Sequence, residues 1–110
     1  MPVLDLNTFN TLKESTGADF ISELIDAFLE DAVTQMNEMK TAIASNDAET
    51  FRRAAHSLKS NAATFGATDL MALARELEMM GRENNLAVGN RLEVIKEAFE
   101  QVKSQLNKLR

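Results

Sequence analysis

Apolar residues recur along the chain every three or four positions, which is the spacing of one helix face, and they nowhere alternate as in a half-buried strand. Few helix breakers interrupt these runs: the sequence has one proline, at position 2, and four glycines, at positions 17, 66, 81 and 89. The pattern therefore predicts several helices that are separated by short connections.

The first two predicted helices precede residue 46. A short helix over about residues 6–15 ends before Gly17 and turns three apolar residues to one side: Leu6, Phe9 and Leu12. A long helix over about residues 19–45 carries a continuous apolar stripe: Ile21, Ile25, Phe28, Ala32, Met36, Met39 and Ile43.

Three more helices are predicted in the second half. Asn46 and Asp47 can cap a third helix, and Gly66 supplies the left-handed residue that is common just past a helix end. Thr68 is expected to cap a fourth helix, which fades over residues 81–85. The last helix begins near Val88 and repeats apolar residues at three-four spacing: Leu92, Ile95, Phe99, Val102, Leu106 and Leu109.

Short connections force consecutive long helices to run antiparallel. The predicted fold is therefore all-α: an antiparallel up-down-up-down four-helix bundle with a short extra N-terminal helix that covers one end. The 110 residues leave room for one hydrophobic core, so residues 1–110 are predicted to form a single domain.

Composition narrows the class of protein. No apolar run approaches the roughly 20 residues of a membrane-spanning helix, and the first residues lack the basic and apolar regions of a secretory signal. The absence of cysteine excludes disulfides and thiolate metal sites. A cytoplasmic location without membrane insertion is expected. The net charge of −5 argues against nucleic-acid binding, which requires a basic surface.

The single histidine, His56, falls in the predicted third helix. At about 100° per residue, it lies about 140° from the apolar face of that helix. This face comprises six residues: Phe51, Ala54, Ala55, Leu58, Ala62 and Phe65. The spacing therefore predicts an exposed histidine rather than a core residue. A surface histidine without a function is the alternative.

Residues three and four positions away share the face of His56: Arg52, Lys59, Ser60 and, after one further turn, Ala63. Two cations next to an imidazole favour its neutral, nucleophilic form. They also suit an arriving phosphoryl group, whose charge is spread over three oxygens. The small Ser60 and Ala63 leave room for a bulky partner. Alternatively, Arg52 and Lys59 only solvate the helix.

Other kinds of site lack the residues that they need. Metal centres in four-helix bundles use a Glu-x-x-His motif from each of two helices, and one histidine cannot supply both. The sequence has no phosphate-binding loop of the P-loop kind and no kinase catalytic loop. We therefore expect no bound metal or cofactor, no enzymatic activity, and a phosphate that comes from another protein.

The segment over residues 55–67, Ala-His-Ser-Leu-Lys-Ser-Asn-Ala-Ala-Thr-Phe-Gly-Ala, resembles the signature of the histidine phosphotransfer (Hpt) domain family. That signature is His-x-Leu-Lys-Gly followed by a helix end at Gly-Ala, and the resemblance extends over essentially the whole chain. It implies that His56 accepts the phosphoryl group, Lys59 holds its oxygens and Gly66 ends the third helix. Ser60 departs from the usual glycine but is still small.

Glu78 is a further candidate. In the phosphotransfer domain of chemotaxis kinases, a glutamate at similar spacing on the next helix hydrogen-bonds the histidine. The resemblance thus implies that Glu78 orients His56, while its spacing equally allows an i,i+4 partnership with Arg82.

The resemblance implies a phosphoprotein of two-component phosphorelays. His56 would accept a phosphoryl group from a receiver aspartate and pass it to another receiver. The expected partners are response-regulator receiver domains and/or a hybrid sensor kinase, with Mg²⁺ held by the receiver, and the chain is expected to be a monomer. Two other classes stay open: a module that docks receivers or helices without transfer, and an enzyme such as a phosphohistidine phosphatase or a metal-dependent bundle enzyme.

Overall fold

The structure, a computed structural model, describes residues 3–110, and the chain folds into helices within this range. Met1 and Pro2 of the predicted domain lie outside it. The described part contains no strand. Its five helices are α1 (Leu6–Thr16), α2 (Ile21–Ala44), α3 (Ala48–Phe65), α4 (Thr68–Arg82) and α5 (Arg91–Leu109). The all-α prediction is confirmed.

Helix α3 is the central element of the packing. It lies against α4 and α2 over most of its length, and α5 contacts both α4 and α2, so the four longer helices close a ring. One apolar cluster fills this ring, and within it the rings of Phe28 and Phe65 stack with centroids 4.7 Å apart. Helix α1 packs against α3 at one end.

The sequence explains why α3 begins and ends where it does. The Asp47 carboxylate accepts hydrogen bonds from the Thr50 backbone N–H at 3.1 Å and from the Thr50 hydroxyl at 2.7 Å, which caps the first turn. Gly66 ends the helix in the left-handed region, at φ 78°. The buried face of α3 consists of the six residues that the spacing predicts.

Gly66 also holds the N-terminal segment. Its carbonyl accepts a hydrogen bond from the Asp5 backbone N–H at 2.7 Å, and a Cβ at this position would lie 2.7 Å from the Asp5 carbonyl oxygen. Asp5 in turn caps α1 through Asn7 and Thr8. A glycine is thus required here for two reasons, its positive φ and the approach of a second backbone segment.

The prediction for the apolar side of the first helix is partly wrong. Phe9 is buried, but Leu6 is 52% exposed. The physical reason is that Leu4, which precedes the helix and is buried, takes the core position that the spacing gave to Leu6.

Three predicted helix starts also differ from the structure. Thr68 is the first residue of α4 rather than its cap, because the chain turns after Gly66 and buried Ala67 occupies the N-cap position. The last helix begins at Arg91 rather than near Val88, since Gly89 has a φ of 59°, which a right-handed helix cannot contain. The second helix begins at Ile21 instead of residue 19.

Candidate functional site

His56 lies in the middle of α3, on the side that faces away from the core, and its side chain is 55% exposed. Ser60 and Ala63 follow it along the helix and are also exposed. The exposure that the helical spacing predicts for His56 is therefore observed, and the two residues Ser60 and Ala63 on this face have small side chains.

The neighbouring helix α4 supplies a carboxylate to this site. Glu78 is only 4% exposed, and its Oε2 atom lies 2.7 Å from Nδ1 of His56. Its other oxygen, Oε1, lies 2.6 Å from Nζ of Lys59, and Arg82 approaches Oε2 at 3.5 Å. Both alternatives for Glu78 are therefore present in the structure, with the contact to His56 much shorter than the one to Arg82.

The charge on Glu78 determines the hydrogen-bonding pattern of the imidazole. Burial raises the pKa of Glu78, but hydrogen bonds from Lys59 and His56 outweigh burial and leave the pKa below its ordinary value. Glu78 is therefore ionised at neutral pH, and a carboxylate can only accept hydrogen bonds. In the neutral imidazole Nδ1 must then carry the proton, which leaves the lone pair of Nε2 available.

Each of the two predicted cations already has a carboxylate partner. Lys59 is paired with Glu78, and Nη2 of Arg52 lies 2.6 Å from Oε1 of Glu49, a hydrogen bond that raises the pKa of Arg52. The helical spacing predicted both cations beside His56, but the ion pair of Arg52 with Glu49 was not predicted. The i,i+3 spacing of Glu49 and Arg52 is a signal that could have found it.

Within residues 3–110, no cluster of three or more His, Cys, Asp or Glu side chains could hold a metal ion. No helix in that range is both long enough and apolar enough to cross a membrane.

Comparison with known proteins assigns the family. The family model described as "Hpt domain" matches residues 23–105, which run from the third residue of α2 through most of α5 and include His56, Lys59 and Glu78. The chain belongs to the Hpt domain family. This Hpt domain thus has a histidine phosphotransfer role in a phosphorelay, as a phosphocarrier module that works with response-regulator receivers.

A solved structure agrees with this assignment. The Hpt domain is similar to the crystal structure of histidine-containing phosphotransfer protein B (HptB) from Pseudomonas aeruginosa PAO1, with 27% sequence identity and a TM-score of 0.91. The similarity covers 97% of this chain and 93% of the other chain. The comparison with curated proteins gives no match.

Proposed function

We propose that His56 accepts a phosphoryl group from the aspartate of a phosphorylated receiver domain and passes it to a second receiver. One observation carries this proposal: the only histidine of a histidine phosphotransfer domain is exposed on α3, with Nδ1 held by Glu78 and Nε2 facing outward from that contact. The reaction needs an accessible nucleophilic nitrogen, and Nε2 meets this need.

The transfer itself is a displacement at phosphorus. The lone pair of Nε2 attacks, the N–P bond forms, the P–O bond of the receiver's aspartyl phosphate breaks, and the aspartate leaves as a carboxylate. The imidazole becomes cationic as the N–P bond forms. Glu78 stabilises that charge because its carboxylate already accepts the Nδ1–H hydrogen bond. The reverse reaction passes the group to the next receiver.

Lys59 and Arg52 are proposed to stabilise the phosphoryl oxygens. Both must exchange a carboxylate for the phosphoryl group, and both remain partly exposed. The Arg52–Glu49 pair lies at the surface, where water screens such pairs and they contribute little to stability. A phosphoryl group with nearly two negative charges can compete for this guanidinium. Ser60 can add a hydroxyl donor.

The receiver is proposed to dock over the face formed by α3 and α4. Ala63 lies on the His56 side of α3, and Leu6 and Met71 share a shallow apolar depression at the adjoining end of α4. Because Ala63 is seven residues from His56, this patch begins roughly 10 Å from the imidazole. We refer to Leu6, Ala63 and Met71 as the docking patch.

Charge also favours an acidic partner at this face. The segment from α3 to α4 carries five cations and four carboxylates, whereas the rest of the chain carries seven cations and thirteen carboxylates. The acidic pocket of a receiver, with its Mg²⁺, would therefore be attracted to this segment more than to residues 1–47, which carry two cations and nine carboxylates. The Hpt domain itself needs no cofactor in this scheme and acts as a monomer without enzymatic activity.

We also infer that α2 to α5 alternate in direction, as one domain. Contacts between elements support this arrangement: the amide of Asn61 in α3 donates to Asp31 in α2 at 2.7 Å, and Arg110 after α5 pairs with Asp26 near the start of α2. Connections of two or three residues before and after α3 leave little other choice. A cytoplasmic location is consistent with this role.

The test is phosphoryl transfer from a phosphorylated receiver to the wild-type chain and to His56→Gln. The wild type is expected to take up acid-labile, alkali-stable label, and His56→Gln to take up none while keeping its helical circular dichroism. Ser104→Gln, on the exposed side of α5, is the control and should transfer as the wild type does. A folded wild type that accepts no label from any of several receivers would favour the docking module instead.

A further inference from the structure

Gly81 lies in the last turn of α4 and is buried against α3. A Cβ at this position would lie 3.0 Å from Cδ1 of Phe51 and 3.1 Å from both Cα and Cβ of Arg52. The backbone of Gly81 is helical, so no left-handed conformation requires glycine here. Glycine is a poorer helix former than alanine, and the close approach of α3 is therefore the physical reason that glycine suits this position.

This contact is one helical turn away from the phosphotransfer site on both helices. Gly81 follows Glu78 by three residues, and Arg52 precedes His56 by four. The contact between Gly81 and Arg52 and the hydrogen bond between Glu78 and His56 are thus neighbouring points of contact along the same pair of helices. The separation of the helices at the first point limits the distance at the second.

We propose that Gly81 is a positioning residue for His56. By lacking a side chain, it lets α4 approach α3 closely enough for Glu78 to reach Nδ1 and so to leave Nε2 as the nucleophilic nitrogen. The effect on the imidazole follows from the geometry alone, whereas the effect on phosphoryl transfer rests on the proposed function.

The neighbours of Gly81 cannot easily move aside. Cα of Arg52 belongs to the backbone of the central helix, and Phe51 is fully buried in the core. Any side chain at position 81 must therefore push the C-terminal end of α4 away from α3. The N-terminal end of α4 stays in place because the short connection at Gly66 joins it to α3. Alanine requires a small displacement and valine a larger one. The hydrogen bond from Nδ1 is lost once the distance exceeds about 3.2–3.5 Å.

The direct test measures which nitrogen of the neutral His56 ring carries the proton, by ¹⁵N-detected NMR of Gly81→Ala, Gly81→Val and Glu78→Ala. We expect the wild type to hold the proton mainly on Nδ1 and Glu78→Ala to hold it mainly on Nε2. The two Gly81 variants should show intermediate proton populations, with Gly81→Val closer to Glu78→Ala than Gly81→Ala is. Ser104→Val, which adds a branched side chain to the exposed side of α5, should match the wild type.

A double-mutant cycle tests whether Gly81 acts through Glu78. Transfer from a phosphorylated receiver should fall roughly threefold to tenfold in Gly81→Val, as expected for the loss of one charge-assisted hydrogen bond. In the Glu78→Ala background, the same substitution should cause no further loss. An equal loss in both backgrounds would mean that Gly81 acts by another route, and the proposal would be wrong.

The two readouts separate this proposal from the function on which it rests. If Gly81→Ala and Gly81→Val are folded and keep the wild-type proton on Nδ1, the proposal is overturned whatever the transfer rates are. If Gly81→Val does not fold, Gly81→Ala alone decides by the same criterion. If the wild type accepts no phosphoryl group at all, the proposed function fails, while the NMR experiment still decides the role of Gly81 in orienting His56.

Discussion

Glu78 is the one charged residue that is buried among residues 3–110, and it contacts three cationic or titratable side chains: His56, Lys59 and Arg82. A buried carboxylate without partners would be strongly destabilising, so these contacts serve stability as well as chemistry. At the scale of single residues, the contribution of these contacts to the free energy of unfolding can be measured on this chain alone, without any receiver.

Stability should depend on the ionisation of Glu78. The folded-state pKa is below the ordinary value of 4.5, so Glu78 stabilises the fold above about pH 4.5, and this contribution is lost as the pH falls through the lowered pKa. We expect Glu78→Gln to cost roughly 1–2 kcal/mol at pH 7, because Lys59 loses its partner. In urea unfolding from pH 7 down to pH 3, the difference between wild type and variant should shrink.

The comparison with the wild type isolates Glu78 from other carboxylates. Hydrogen bonds from Thr50 and Arg52 lower the pKa values of Asp47 and Glu49 respectively, and both groups contribute to the acid dependence of both proteins. Glu97→Gln, an exposed change on α5, is the control and should show the wild-type pH dependence. A Glu78→Gln penalty that is the same at pH 3 and pH 7 would contradict this assignment.

At the scale of elements, the turn between α3 and α4 depends on Gly66. Gly66→Ala should be strongly destabilising because a Cβ must adopt a positive φ and also meet the Asp5 carbonyl oxygen at 2.7 Å. Gly89→Ala is the matched control, since Gly89 has a φ of 59° and a Cβ there would meet only Nη1 of the flexible Arg91 side chain, at 4.0 Å. We expect a cost of about 1–2 kcal/mol for Gly89→Ala and roughly twice that for Gly66→Ala.

Urea unfolding of the two alanine variants measures this difference. Because Asp5 both caps α1 and contacts Gly66, the loss in Gly66→Ala should be accompanied by faster amide exchange in α1. Equal costs for the two variants would show that only backbone conformation matters at Gly66, and that the contact with Asp5 contributes nothing.

The elements also show what the sequence can predict. The bounds of α3 follow from local signals, because the six-residue buried face, the Asp47 cap and the Gly66 end are all encoded in the helix and its flanks. The start of α5 was misplaced because the buried Val88 extends the apolar pattern while Gly89 interrupts the helix. The spacing of apolar residues indicates which residues are buried, and residues outside a helix, such as Val88, can be buried as well.

The candidate site was predictable only in part, for a similar reason. The exposure of His56 follows from its phase on one helix, and so does its proximity to Lys59. The contact of Glu78 with His56 depends on how two helices align, which the spacing left undecided between His56 and Arg82. The close approach at Gly81 depends on atoms of Phe51 that are thirty residues away in sequence, and a lone glycine gives no indication of them.

At the scale of the whole molecule, the segment from α3 to α4 that contains His56 is less acidic than residues 1–47, and the exposed Leu6 adds an apolar group to the same side. If receivers dock there, Leu6→Asp should weaken docking through lost apolar contact and added negative charge. Val94→Asp is the matched control, because Val94 is an exposed apolar residue on α5, outside the docking patch.

Transfer rates measured over a range of receiver concentrations separate docking from chemistry. For Leu6→Asp, the receiver concentration at half-maximal rate should rise roughly tenfold, which corresponds to a loss of about 1.4 kcal/mol of binding free energy. The maximal rate should stay near that of the wild type, because His56, Lys59 and Glu78 are unchanged. Val94→Asp should change neither quantity. If Leu6→Asp lowers only the maximal rate, Leu6 lies outside the docking surface. If both variants raise the half-maximal receiver concentration equally, receivers respond to the net charge of the chain rather than to the docking patch.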